Sequence, residues 1–191
     1  MLCENLLVGV CGSPAALAMP QHVLLLRQTI GRNVRVIMSY GAQRFVRPYT
    51  MRLFAGSWVH TDTYGAGDGM LIPHIELTDD VDLMLVMPAT ANVIGKAAHG
   101  ICDELVSTAI VACSAPVVLV PAMNGRMWAN RAVQRNVELA RELGYHVIDP
   151  GSGFQLADMD ESIGLMPPLE QVLGELVEIV EAARTPDRAA V

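Results

Sequence analysis

Among its 191 residues the chain has one lysine, Lys96, and its arginines are scattered. With a formal net charge of −7 and no basic stripe, the electrostatic footprint of a nucleic-acid partner is missing. The acidic balance serves solubility and identifies no substrate. Long apolar runs are missing too. Hydrophobic residues make up 52% of the chain, yet none of its segments reaches the ~18–20 uninterrupted apolar residues of a membrane span. That apolar excess needs a destination, and a subunit interface supplies one. Cysteine is scarce: Cys3, Cys11, Cys102 and Cys113 form no CxxC pair, so neither a zinc site nor a disulfide framework is indicated. Buried free thiols in a reducing cytosol are expected. No two of the five histidines have a metal-ligand spacing, so no metal is expected. Residues 6–11 have the outline of a lipoprotein signal, but Glu4 and no basic residue precedes them, and Gly12-Ser-Pro14 breaks the run. They read as a first strand, and a cytoplasmic location is expected.

What is present is an alternation. Short apolar strands are expected at 5–10, 34–38, 82–87, 117–120 and 146–148. Helices are expected at about 15–30, around 42–46, over 93–112 with a break near Gly100, at 129–143, and from Leu169. In the last, Leu169, Val172, Leu173, Leu176, Val177 and Val180 form one stripe at helical spacing. Residues 55–70 and 150–168 read as irregular, a lid or interface segment and a second loop. The pattern implies one α/β domain over 4–183, a Rossmann-like (flavodoxin-like) doubly wound parallel sheet, with 184–191 a disordered tail.

Chemistry concentrates at the strand ends. Pro121-Ala-Met-Asn-Gly-Arg-Met-Trp128 follows a buried strand, where open α/β sheets bind ligands. Taken alone, its Asn-Gly could be turn chemistry and its methionines core filler. Gly12-Ser13, Ser39, Thr90-Ala-Asn92 and Asn124-Gly125 each end a strand and precede a helix. Hydroxyls and backbone N–H groups at helix N-termini can hold phosphate without lysine. The alternative is that Ser13, Ser39 and Thr90 are only caps. GxGxxG is absent after the first strand, which weakens a nicotinamide reading. His74, in Ile72-Pro-His-Ile-Glu-Leu77, is the histidine best placed to act as a base.

Together these segments resemble the flavin-containing cysteine decarboxylases. Pro121–Trp128 is similar to that family's PxMNxxMW motif, and Pro88-Ala-Thr-Ala-Asn92 to its PASAN motif with Thr90 in place of serine. His74-Ile-Glu-Leu77 resembles the segment carrying the active-site histidine, and Gly100-Ile-Cys-Asp103 with Leu105 the helix after PASAN. The likeness runs from about Asn5 to Val180 and is strongest over 72–130. The resemblance implies a homotrimer, assembling further into a homododecamer, with FMN at the subunit interface. A site for the FMN portion at an open interface would also admit FAD. Carried over by position, Gly12, Ser13, Ser39, Phe45, Pro88, Thr90, Asn92 and Met123 would contact the flavin. His74 would be the base, Asn124 would hold the substrate carboxylate, and Met127 would line the site.

The family has two branches. One decarboxylates phosphopantothenoylcysteine in coenzyme A synthesis and carries a catalytic cysteine in an Ala-Cys-Gly segment of the late loop. The other, the lantibiotic (epidermin-type) branch, acts on the C-terminal cysteine of a ribosomally made precursor peptide. The product is an aminoenethiol for an S-(2-aminovinyl)cysteine macrocycle. Here the late loop, 153–160, has no cysteine, nor does anything after it. The resemblance therefore points to the peptide branch. A non-catalytic flavin-binding regulatory subunit is a different class of reading, opposed by the retention of His74 and Asn124. A flavin prenyltransferase is disfavoured by the complete PxMNxxMW motif.

Overall fold

Strands that are apolar on both faces can only be stable between two layers of helices. The computed structural model, which describes residues 1–64, 69–156 and 159–184, has that arrangement. Six strands, β1 (Cys3–Val10), β2 (Gly31–Met38), β3 (Val59–His60), β4 (Leu83–Ala89), β5 (Val117–Pro121) and β6 (His146–Val147), form one parallel sheet. Their order is β3-β2-β1-β4-β5-β6. This is the Rossmann order, not flavodoxin's, and its switch point lies between β1 and β4.

Alternation along β1 divides the core. Leu6, Val8 and Val10 face α1 (Met19–Thr29), α2 (Pro48–Ala55) and α8 (Leu169–Arg184). Leu7 and Cys11 face the other layer: α3 (Pro73–Thr78), α4 (Ala91–His99), α5 (Leu105–Ala112) and α7 (Arg131–Glu142).

Several boundaries differ from expectation. The helix expected at 15–30 is a 3-10 turn, Pro14–Ala18, followed by α1, because Pro20 fits only a helix's first turn. The helix expected around 42–46 shrinks to a 3-10 turn, Ala42–Arg44. The true helix is α2, begun by Pro48 and closed by Gly56 at a left-handed φ of 63°. The stretch 55–70 contains the edge strand β3. The break near Gly100 is present between α4 and α5, where Gly100 at φ 65° closes α4. The helix expected at 129–143 has a preceding turn of its own, α6 (Gly125–Trp128). Arg184 belongs to α8 and donates to the Leu2 carbonyl, while the expected tail, 185–191, lies outside the described residues.

The largest correction concerns 150–168. It holds an antiparallel hairpin, β7 (Gly151–Phe154) and β8 (Glu161–Leu165), outside the main sheet. The hairpin lies against α6, and Met123 N–H donates to the Gly164 carbonyl at 2.8 Å. Contact this close requires glycine on both sides. A Cβ on Gly125 would stand 2.7 Å from Ser162 Oγ and 2.8 Å from the Ile163 carbonyl oxygen. Gly164, at φ +131°, would set one 2.8 Å from the Met123 carbonyl oxygen.

Candidate functional site

The strand ends at the switch point are bound to one another before any ligand is considered. Ser39 N–H donates to the Val10 carbonyl at 2.9 Å, Cys11 N–H to Pro88 at 3.2 Å, and Ala122 N–H to Ala89 at 2.9 Å. The turns after β1 and β2 meet backbone to backbone. A Cβ on Gly12 would lie 2.7 Å from the Gly41 carbonyl carbon and 2.8 Å from its Cα.

Four polar side chains here also accept from a backbone N–H at the start of the next turn or helix. Ser13 Oγ accepts from Ala15 N–H at 3.4 Å, Ser39 Oγ from Ala42 N–H at 3.2 Å, and Thr90 Oγ1 from Val93 N–H at 3.4 Å. Asn124 Oδ1 accepts from Arg126 N–H at 2.8 Å and begins α6. The capping reading therefore holds for Ser13 and Thr90, whereas the turn after Ser39 has Gly41 at its N-cap, and it coexists with a second fact. Gly12, Ser13, Ser39, Thr90, Asn92, Met123, Asn124 and Met127 all line one cavity of about 380 Å³. Helix N-termini keep first-turn N–H groups that a single cap does not satisfy, and such termini attract phosphate. Lys96 takes no part: it pairs with Asp103 at 2.8 Å and Glu104 at 3.2 Å.

A second cavity, about 570 Å³, adjoins the first across Met123 and Asn124. Pro14, Leu156, Leu165 and Met166 make it mostly apolar, and Gln155 supplies an amide. The hairpin forms its far wall.

Three expected site residues lie elsewhere. Phe45 is 39% exposed and lines a separate cavity with Arg44, Arg47 and Tyr49. Pro88 sits in β4 and offers its carbonyl to Cys11, without lining either crevice cavity. His74 lies on α3 and lines neither. Its Nδ1 is buried with no hydrogen-bond partner, while Leu71, Ile72 and Ile75 around it are exposed. Gln155 escaped sequence reading. It is buried, and it accepts from the Asn124 side chain.

None of the four thiols lines either crevice cavity. Burial pushes Cys11 up to about 12 and Cys3 up to about 11, and it raises Cys113. Cys102 is exposed, against the expectation of burial for all four. Among the described residues no cluster could hold a metal ion, and no helix is long and apolar enough to cross a membrane.

A doubly wound sheet with a capped, glycine-lined crevice at its switch point defines a nucleotide-cofactor-binding α/β domain. More particularly, the chain belongs to the flavoprotein family, whose model matches residues 3–181. It is 44% identical over 124 residues to the coenzyme A biosynthesis bifunctional protein CoaBC of Bacillus subtilis, a match covering 65% of this chain and 30% of that one. The chain spans between 30% and 42% of the length of the CoaBC proteins it matches. Among solved structures it is similar to the FMN-dependent cysteine decarboxylase SpaF, with 32% identity, TM-score 0.78, and 93% and 97% of the two chains covered. It is also similar to an EpiD variant complexed with the substrate peptide DSYTC, at 26% identity, TM-score 0.78, and 90% and 97% coverage.

Proposed function

We propose that this chain is an FMN-dependent decarboxylase of a C-terminal cysteine on a ribosomally made precursor peptide. The observation that carries the reading is the position of Asn124, on the wall shared by the two cavities. One cavity has the features of a flavin phosphate-and-ring site: helix-capping hydroxyls, the Gly12–Gly41 backbone contact, and Met123 and Met127 as apolar lining. The other is apolar and large enough for the end of a peptide. A carboxylate held by the Asn124 amide would lie where they join.

The chemistry FMN supplies when bound is a two-electron acceptor for oxidation of the substrate's Cβ–S bond. A thioaldehyde so formed places C=S β to the carboxylate, and loss of CO2 leaves an enethiolate. Asn124 donates N–H to the carboxylate and orients it. Met123 and the hairpin residues Leu156 and Leu165 keep water from the apolar side. His74 takes the proton that leaves the substrate. Because His74 lines neither crevice cavity of its own chain, a second copy would bring it to the site. The exposed Leu71, Ile72 and Ile75 give that copy an apolar surface to cover. A homotrimer, or a dodecamer built from trimers, meets this need.

Phosphopantothenoylcysteine also ends in a cysteine carboxylate, and the 44% identity to CoaBC favours it as a second reading. Against it stands the hairpin, which carries no cysteine between residues 150 and 168. Incubation of the flavin-loaded protein with peptides ending in cysteine should yield products lighter by CO2 and two hydrogens. Turnover of phosphopantothenoylcysteine, with every such peptide inert, reverses the assignment.

The Gly12–Gly41 contact allows a separate test of the cofactor crevice. Gly12→Ala forces the two loops apart, at ~1–3 kcal/mol for overpacking. The flavin copurifying with the variant, read as visible absorbance relative to protein absorbance, should fall severalfold. A folded variant with wild-type flavin content would place the cofactor elsewhere.

A further inference from the structure

The cap that begins α6 fixes only one end of the Asn124 amide. Its Oδ1 accepts from Arg126 N–H at 2.8 Å, while its Nδ2 donates to Gln155 Oε1. The Gln155 Nε2 in turn donates to Ser162 Oγ at 2.6 Å, across the hairpin. The backbone of Gln155 is tied as well. Its N–H donates to the Asp160 carbonyl at 2.9 Å, and its carbonyl accepts from Met159 N–H at 2.9 Å. Gln155 is only 8% exposed, so this amide is a buried polar group with both ends of its side chain satisfied. Such a group left unpaired costs more than an apolar one, and a chain seeking only to fill the space would do better with leucine or methionine.

An amide nitrogen has two hydrogens. In Asn124 one is taken by Gln155 and the other is left for a ligand. We infer that Gln155, backed by Ser162, is a positioning residue that orients the Asn124 amide so that its second N–H meets the substrate carboxylate. The inference rests on the cysteine decarboxylase reading and deepens it. Without Gln155 the Asn124 amide has one tether, the Arg126 N–H, and can turn about it. With Gln155 it has two, from opposite ends of the amide. The neutrality of Gln155 matters too. An acid here would still accept from Asn124, and the Ser162 hydroxyl could donate to it, but once ionised it would set a negative charge beside the substrate's own.

The test uses the flavin-loaded protein and two probes that differ in one atom: a peptide ending in cysteine, and the same peptide ending in serine, which keeps the carboxylate and lacks the thiol. Binding of the serine peptide is followed by flavin absorbance, and turnover of the cysteine peptide by mass. Gln155→Met should raise the Kd of the serine peptide about tenfold, the loss of one well-aligned hydrogen bond to a charged group. Gln155→Glu should bind like the wild type while its carboxyl is protonated and weaken as pH rises through its titration, a dependence the wild type lacks. A Gln155→Met protein that binds the serine peptide and turns over the cysteine peptide like the wild type overturns the inference and leaves the decarboxylase reading standing. A wild type that binds neither probe removes both together. Should Gln155→Met lose its flavin, Gln155→Glu decides, and a pH profile parallel to the wild type's overturns the inference.

Discussion

Asn124→Asp is expected to lower kcat/KM for a cysteine-ended peptide by about a thousandfold or more, while the purified protein keeps its flavin. Asparagine and aspartate are equally good N-caps, so the bond from Arg126 N–H and the turn of α6 survive. Gln155 can reverse its amide to donate to the new carboxylate, because Ser162 Oγ can donate in its place. Ser13, Ser39 and Thr90 keep their own bonds from backbone N–H groups, independent of Asn124. What changes is the partner offered to the substrate. One N–H to a charged acceptor is lost, ~1.5–3 kcal/mol. Two negative charges then stand side by side, ~4 kcal/mol at 4 Å and an effective dielectric constant near 20. Asn124 is half-buried, so solvent screening reduces the second figure, and about a thousandfold is the floor of the sum. The loss should be apparent in KM, since the carboxylate is bound before it leaves. Peptide decarboxylation within a few-fold of wild type would remove Asn124 from the carboxylate site.

The parts of this site that were legible in sequence are those written in consecutive residues. A buried strand, a capping residue and a small residue fall within five to eight positions at 9–13, 86–92 and 118–125. Parallel topology then gathers them at one edge without further instruction, because every strand of the sheet points the same way. The hairpin was illegible for the opposite reason. Gly151, Gly153 and Gly164 erase the alternation that marks a strand, and the hairpin bonds to the distant Asn124 turn through Met123 and Gly164. Gln155 and Asn124 lie 31 positions apart, and nothing in either segment announces the other. Helix α2 could have been read: Pro48 opens it and Gly56 ends it, the usual punctuation at the two ends of a helix. The two residues of β3 are too few to carry a period. For His74 the sequence offers a residue and not its setting. If it serves a neighbouring copy, as proposed, quaternary structure places it, and the sequence then carries only a hydrophobic content of 52% and residues such as Leu71 and Ile75, exposed beside it.

That separation of His74 from the crevice leads to the second large effect. His74→Asn should lower turnover ~10²–10⁴-fold, the usual contribution of a positioned base, with flavin content unchanged. The decisive measurement combines it with Asn124→Asp. Each variant alone is expected to be nearly inactive. If one active site draws Asn124 from one copy and His74 from the next, mixed assemblies contain some sites that lack neither. With equal, randomly assembled amounts of the two variants in a ring of head-to-tail interfaces, about a quarter of the sites receive both native residues, and activity should recover to about that fraction of wild type. If instead both residues act from the same chain, every site in the mixture carries one defect, and coexpression recovers nothing. Mixing the two purified proteins without dissociating them provides the control, since recovery then requires subunit exchange. Coexpressed mixtures that stay inactive, although mass spectrometry shows both variants in one oligomer, would place His74 outside the shared site. The unpartnered Nδ1 of His74 and the exposed residues on α3 would then need a different explanation.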